Sequence, residues 1–266
     1  MNILKKELKQ GLKPFLFWLA GIGFLILGGM VKFTGVQGAG SGSMSDILGK
    51  IPKPVLAIFG MSEVNIESFG GFFSVLQFYA LIAVCCYAVY LGTSCVLRES
   101  VDKTYEFLFT KPCGRLHILS IKMISGMIYL VLIIIMSGVF SYMAPVIYNI
   151  ENTISAEMIL FPAAMLLISL FFFSLSMALS ALFTRSERAV QSTYGLLLFA
   201  YALSVVFDMD TKFEIVRFLT PFKYFRSREL VSGQLNVVYV FALILMSGVL
   251  LAISFRAFAR KDLIAA

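Results

Sequence analysis

The sequence predicts an all-α polytopic membrane protein, six transmembrane helices joined by short interfacial and external helices. Three observations carry this. Apolar residues make up 59% of the 266-residue chain and charged residues 14%, where soluble domains run at about 45–50% and about 25%. The apolar residues fall into six runs, each near or above the ~20 residues that cross a bilayer. Lys and Arg collect at alternate ends of those runs. Residues 1–266 read as a single transmembrane domain.

The runs are Pro14–Val31, Phe72–Leu97, His117–Ile147, Met158–Phe183, Ala189–Phe207 and Val237–Phe258. Backbone groups in lipid must be satisfied within the segment, which demands helices, and no alternating strand pattern is present. The first run is too long, at about 18 apolar residues, for the ~7–15 of a signal-peptide core, so it is expected to stay as a membrane helix. Before it, residues 1–13 place Ile3, Leu4, Leu8 and Leu12 near one helical face with lysines elsewhere, as in a helix lying in the interface. An ordinary basic flank of the first span fits those residues equally well. The loop Thr34–Gly71 begins with the linker-like GAGSGS. It continues as two short surface helices separated by a turn. The fifth span is the shortest. Residues 208–235 form an external amphipathic segment, with one helix expected over Thr211–Gly233. Gly21, Gly28 and Gly29 on the first span, and Ser176 and Ser180 on the fourth, are small enough for close helix contact.

Orientation follows from the basic residues. Lys5, Lys6, Lys9 and Lys13 precede the first span; Arg98, Lys103, Lys111 and Arg115 follow the second; Arg185 and Arg188 follow the fourth; Arg256, Arg260 and Lys261 close the chain. All fall on one side of a six-span chain, which the positive-inside rule makes cytoplasmic, both termini included. Lys212, Arg217, Lys223, Arg226 and Arg228 break the pattern on the opposite side, accompanied by Asp208, Asp210, Glu214 and Glu229. A net charge of +7 does not point to nucleic acid, because the cations flank apolar spans. Cys85, Cys86 and Cys95 lie inside a span and Cys113 in a polar loop, so no disulfide framework is implied. A single histidine, His117, cannot build a His-based metal site.

The polar stretch Arg98–Lys122, RESVDKTYEFLFTKPCGRLHILSIK, is too charged to span lipid and too short to be a domain. It holds a short amphipathic helix over Asp102–Thr110, ended by Pro112 and Gly114. Glu99, Asp102, Thr104, Glu106, Phe107, Leu108, Pro112, Arg115 and Lys122 fit the coupling-loop pattern of ABC transporter permeases, which this chain resembles. The likeness is to the ABC-2-type exporter family, of the peptide and antimicrobial exporter kind. Lys103 stands where a glycine is common. The Pro52–Gly60 stretch before a Phe-rich second span is similar to the same family, and the resemblance covers most of the chain.

The resemblance implies a membrane permease that forms the translocation pathway of an ATP-driven exporter. Residues 98–116 would be its cytoplasmic coupling loop, with Phe107 and Leu108 as apolar anchors and Glu99, Asp102, Glu106 and Arg115 as rim charges. It implies as partners an ATP-binding cassette ATPase, a second permease subunit (a homodimer or a paralogue) and the bilayer of a bacterial inner or plasma membrane. The chain has no G-x-x-x-x-G-K-[ST] and no catalytic motif. ATP and Mg²⁺ are therefore expected on the partner, no cofactor on this chain, and no enzymatic activity of its own. The spans lack ionisable pairs of the kind that mark proton pathways. Lys122, just inside the third span, is expected to snorkel to the interface. Abundant Phe and Tyr suit an amphipathic or hydrophobic cargo, a peptide before a lipid-like molecule. A competing reading is a non-transport immunity or sensing protein that binds an antimicrobial peptide or a partner membrane protein.

Overall fold

A computed structural model describes residues 2–38, 50–61, 64–66, 68–101, 114–150, 159–209 and 214–260. Six of its helices are long and apolar enough to cross a membrane. They are α1 (Asn2–Gly38), α3 (Phe69–Val101), α4 (Arg115–Ile147), α5 (Leu160–Leu182), α6 (Ser186–Met209) and α9 (Val237–Arg260), with the short α2 (Lys53–Ile58), α7 (Glu214–Leu219) and α8 (Ser227–Val231) between them. No strand occurs among the described residues. Five of the six predicted spans fall within these long helices, and the fourth, Met158–Phe183, overruns α5 by two residues at its start, of which Met158 lies outside the described residues, and by Phe183 at its end.

The helices run alternately up and down. α1, α4 and α6 start at one end of the bundle, the same end at which α3, α5 and α9 finish. Pairings at both ends bear this out. Glu7 of α1 meets Arg98 of α3 at one end, and Phe33 of α1 meets Phe69 of α3 at the other. The first end is the base end below, the second the loop end.

α3 and α5 are central. In each, 67% of the membrane window is buried, against 17% for α9 and 28% for α1 and α6. Apolar side chains such as Phe17, Phe24, Val238 and Leu245 are therefore left exposed on the outer helices, as expected of a surface that faces lipid rather than water. The α3–α5 contact is close because Gly92 has no side chain. A Cβ there would stand 2.5 Å from the Phe173 carbonyl oxygen. Several serines of the core bond back to their own helix. Ser174 donates to the Leu170 carbonyl at 2.8 Å, Ser176 to Phe173 at 2.7 Å and Ser137 to Ile134 at 2.8 Å. Back-bonding of this kind satisfies a hydroxyl inside its own helix.

Three helix ends share one device. α2, α4 and α8 stop at Gly60, Asn149 and Gly233, which have φ of 66°, 50° and 78°. After each, an amide reaches back five residues, Met61 to Leu56, Ile150 to Pro145 and Gln234 to Glu229. This is the Schellman arrangement, which needs a left-handed residue and so favours Gly or Asn.

Four local expectations meet the structure as follows. α1 is one continuous helix of 37 residues, roughly 55 Å at 1.5 Å per residue. Residues 2–13 thus run into the first span without a break. A single α-helix was expected over Thr211–Gly233. The described part is instead α7, a 3-10 turn at Pro221–Lys223 and α8, because Pro221 cannot donate to a helix ladder. Of the two surface helices expected in Thr34–Gly71, α2 is one; residues 39–49, which hold all of GAGSGS but its first glycine, lie outside the described residues. Of the three span-one glycines, Gly29 alone comes close to another helix, against Leu76; a Cβ on Gly21 would meet nothing.

Candidate functional site

At the base end, α3 ends at Val101 and α4 starts at Arg115, so the two helices form the base from which the polar loop leaves. Glu99 sits in the last turn of α3 and Arg115 is the exposed first residue of α4. Asp102, Thr104, Glu106, Phe107, Leu108 and Pro112 lie outside the described residues.

The base is tied to α1 by charge. Glu7 accepts a hydrogen bond from Arg98 of α3 at 3.1 Å, and the Lys122 ammonium of α4 stands 4.0 Å from its other oxygen. Lys122 is 3% exposed. It therefore does not snorkel to solvent as expected. It turns inward, where the carboxylate offsets the desolvation of its charge. Nearby, the Tyr129 hydroxyl donates to the Leu8 carbonyl and the Cys95 thiol to the Lys122 carbonyl at 3.3 Å. Gly11 lies against the Tyr129 ring. The first three turns of α1 are therefore packed against α3 and α4, and only a small cavity of about 20 Å³ is left among Glu7, Arg98 and Lys122.

At the loop end, basic residues turn into the fold. Arg217 donates to the carbonyl oxygens of Lys223 and Tyr224 and to Glu229, and its guanidinium covers the Tyr239 ring at 4.8 Å. Lys223 contacts Asp208 at 2.5 Å. Arg226 stacks over Phe207 at 5.0 Å. Three of the five cations that break the charge pattern are thus engaged within the protein. Burial, and then the neighbouring Tyr239, push the Tyr224 phenol above its ordinary pKa. It stays a donor, to the Phe218 carbonyl at 2.7 Å. Inside the bundle, Gln77 of α3 donates to Ser141 of α4 at 2.5 Å, a buried polar bridge between two spans.

Sequence reasoning missed Glu7, Arg98, Gln77 and Arg226. Glu7 carried a signal, since it is the lone acid among four lysines in residues 1–13. Gln77 carried one too, as a polar side chain in an apolar run. Nothing in the pattern distinguished Arg226 from its basic neighbours.

A bundle of six alternating apolar helices, each long enough to cross a bilayer, defines a multi-pass membrane protein. Residues 1–263 match the family described as ABC-2 family transporter protein. The chain belongs to that family, whose role is that of the membrane permease in ABC transport, working with a separate ATPase. No curated protein matches the chain.

Proposed function

We propose that the chain is the permease subunit of an ATP-driven exporter in a bacterial inner or plasma membrane, with both termini and residues 98–116 in the cytoplasm. It works with a second permease subunit and with ATPases that bind ATP and Mg²⁺. The observation that carries the coupling reading is the Glu7–Arg98–Lys122 cluster. It binds α1 to both helices at the base of the loop, so a push on that loop moves three spans together. Phe107 and Leu108 then enter a groove of the ATPase as apolar anchors, and Glu99, Asp102, Thr104, Glu106, Pro112 and Arg115 set its rim and shape. The favoured cargo is an amphipathic peptide, supported by the apolar, aromatic spans.

The test is the double variant Phe107→Ala/Leu108→Ala. It is expected to insert normally and to lose ATPase on co-purification, with a cost of about 2–4 kcal/mol for two such anchors. Unchanged co-purification and transport would count against the assignment. In nanodiscs, an amphipathic helical peptide should stimulate the ATPase more than a scrambled peptide of equal charge. Equal responses would remove the peptide reading and leave the permease role standing.

A further inference from the structure

The outer helices offer different surfaces to their surroundings. The exposed side chains of α9 include Val238, Phe241, Leu245, Val249 and Ile253, which suit hydrocarbon. On α6, Gln191, Gly195, Leu198 and Ala202 are exposed and follow one another at steps of three and four, so they share one face of the helix. One turn nearer the base end, exposed Glu187 and Arg188 continue that face. Nothing stands within 4 Å of a Cβ placed on Gly195. An amide set among small residues is poorly served by lipid chains, and it is the kind of surface with which membrane helices associate.

A second feature lies beside this face. A groove of about 370 Å³ opens between α3 and α6, lined by Tyr90, Thr93, Ser94, Arg98 and, from α6, Val190 and Tyr194. Val190 and Tyr194 are the chain neighbours of Gln191 and Gly195. Tyr90 lies 11 positions before the end of α3 (101 minus 90), roughly 16 Å inside it at 1.5 Å per residue. Tyr90 and Ser94 are half-buried there, and a lipid chain offers a phenol or a hydroxyl no hydrogen bond. The polar face and the polar groove thus open on one side of the molecule.

We propose that this side is the seam with a second copy of the chain, α6 packed on α6 about a two-fold axis along the membrane normal. The proposal deepens the second-permease reading and rests on it. The chemistry of the face selects a like partner. Two copies in one bilayer carry the same loop charges and so share one orientation, and in a two-fold contact the same patch meets itself. The Gln191 amide both donates and accepts, so it pairs with its own equivalent. Glu187 of each copy faces Arg188 of the other, a charge match that a face of one sign would not give. Gly195 and Ala202 let the two backbones approach.

The experiment uses the full-length chain in native membranes, with Cys86→Ala and Cys113→Ser to lower background crosslinking. Ala202→Cys, and as a control Ala252→Cys on the exposed face of α9, are oxidised with copper phenanthroline. Native mass spectrometry counts the copies after extraction. Two copies, with a disulfide-linked pair from Ala202→Cys and none from Ala252→Cys, is the expected result. Reversing one charge, by Glu187→Arg or Arg188→Glu, should lower the crosslink yield about two- to fivefold, the scale of exposed ion pairs. The exchange Glu187→Arg/Arg188→Glu should restore it, which a folding defect would not allow. Two copies without the Ala202→Cys crosslink, or with the Ala252→Cys crosslink in its place, overturn the seam and leave the second subunit standing. A partner of different mass overturns the identical copy alone, and a single copy overturns the second-subunit reading as well.

Discussion

Lys122 shows how one residue changes meaning once its neighbours are known. On a lipid-facing surface its long stem would carry the ammonium to water. Here Glu7 reaches it from another helix, 115 positions away in the chain (122 minus 7). Removing one partner of a buried pair costs more than removing both, because an unmatched charge remains. Glu7→Ala should therefore destabilise the protein by on the order of 3 kcal/mol. Replacing both partners, Glu7→Leu with Lys122→Met, should recover part of that loss. Thermal unfolding in detergent reads both effects. If Glu7→Ala melts with the unaltered protein, the cluster contributes nothing to holding α1. Neither the pairing nor its cost was legible in the sequence, because ion pairs between distant positions leave no periodicity.

Helix packing here rests on glycines whose importance depends on which face they occupy. Gly92 lies where α3 meets α5, against the Phe173 carbonyl oxygen and Ser176. A backbone atom cannot swing aside as a side chain can. Gly92→Val should thus force the two central helices apart, at a cost of about 1–3 kcal/mol, the usual range for overpacking. Gly21→Val is the control, because nothing stands within 4 Å of the Cβ it would add. The comparison is a pair of melting curves, and equal shifts for the two variants would refute the packing argument. The sequence correctly marked small residues as contact sites, yet it named Gly21 and Gly28 and passed over Gly92. Composition reports that a residue is small, whereas helix rotation decides which neighbour it meets.

For the whole molecule, the alternating helices place residues 2–13, 98–101, 114–117, 183–188 and 256–260 at one end. That end carries Lys5, Lys6, Lys9, Lys13, Arg98, Arg115, Arg185, Arg188, Arg256 and Arg260. The exceptions at the other end are largely drawn into the fold, as Arg217, Lys223 and Arg226 are. Cations that find partners within the protein weigh less as free loop charges. The proposed cytoplasmic orientation then predicts that a membrane-impermeant maleimide leaves Cys113 unmodified in intact cells and labels it in inverted vesicles. Cys85 and Cys95 are buried and add no competing signal. Rapid labelling in intact cells would reverse the orientation.

The sequence by itself determined the class of fold, the six spans and the position of the polar loop between the second and third. These depend on local composition and on the need of a lipid-embedded backbone to satisfy its own hydrogen bonds, and both are written along the chain. Only the tertiary structure decided that α1 runs unbroken into the base end, that Glu7 ties it to Arg98 and Lys122, and that Arg226 packs over Phe207. Those features depend on how helices far apart in sequence rotate and cross. That choice is made by packing between side chains, and no stretch of sequence carries it alone.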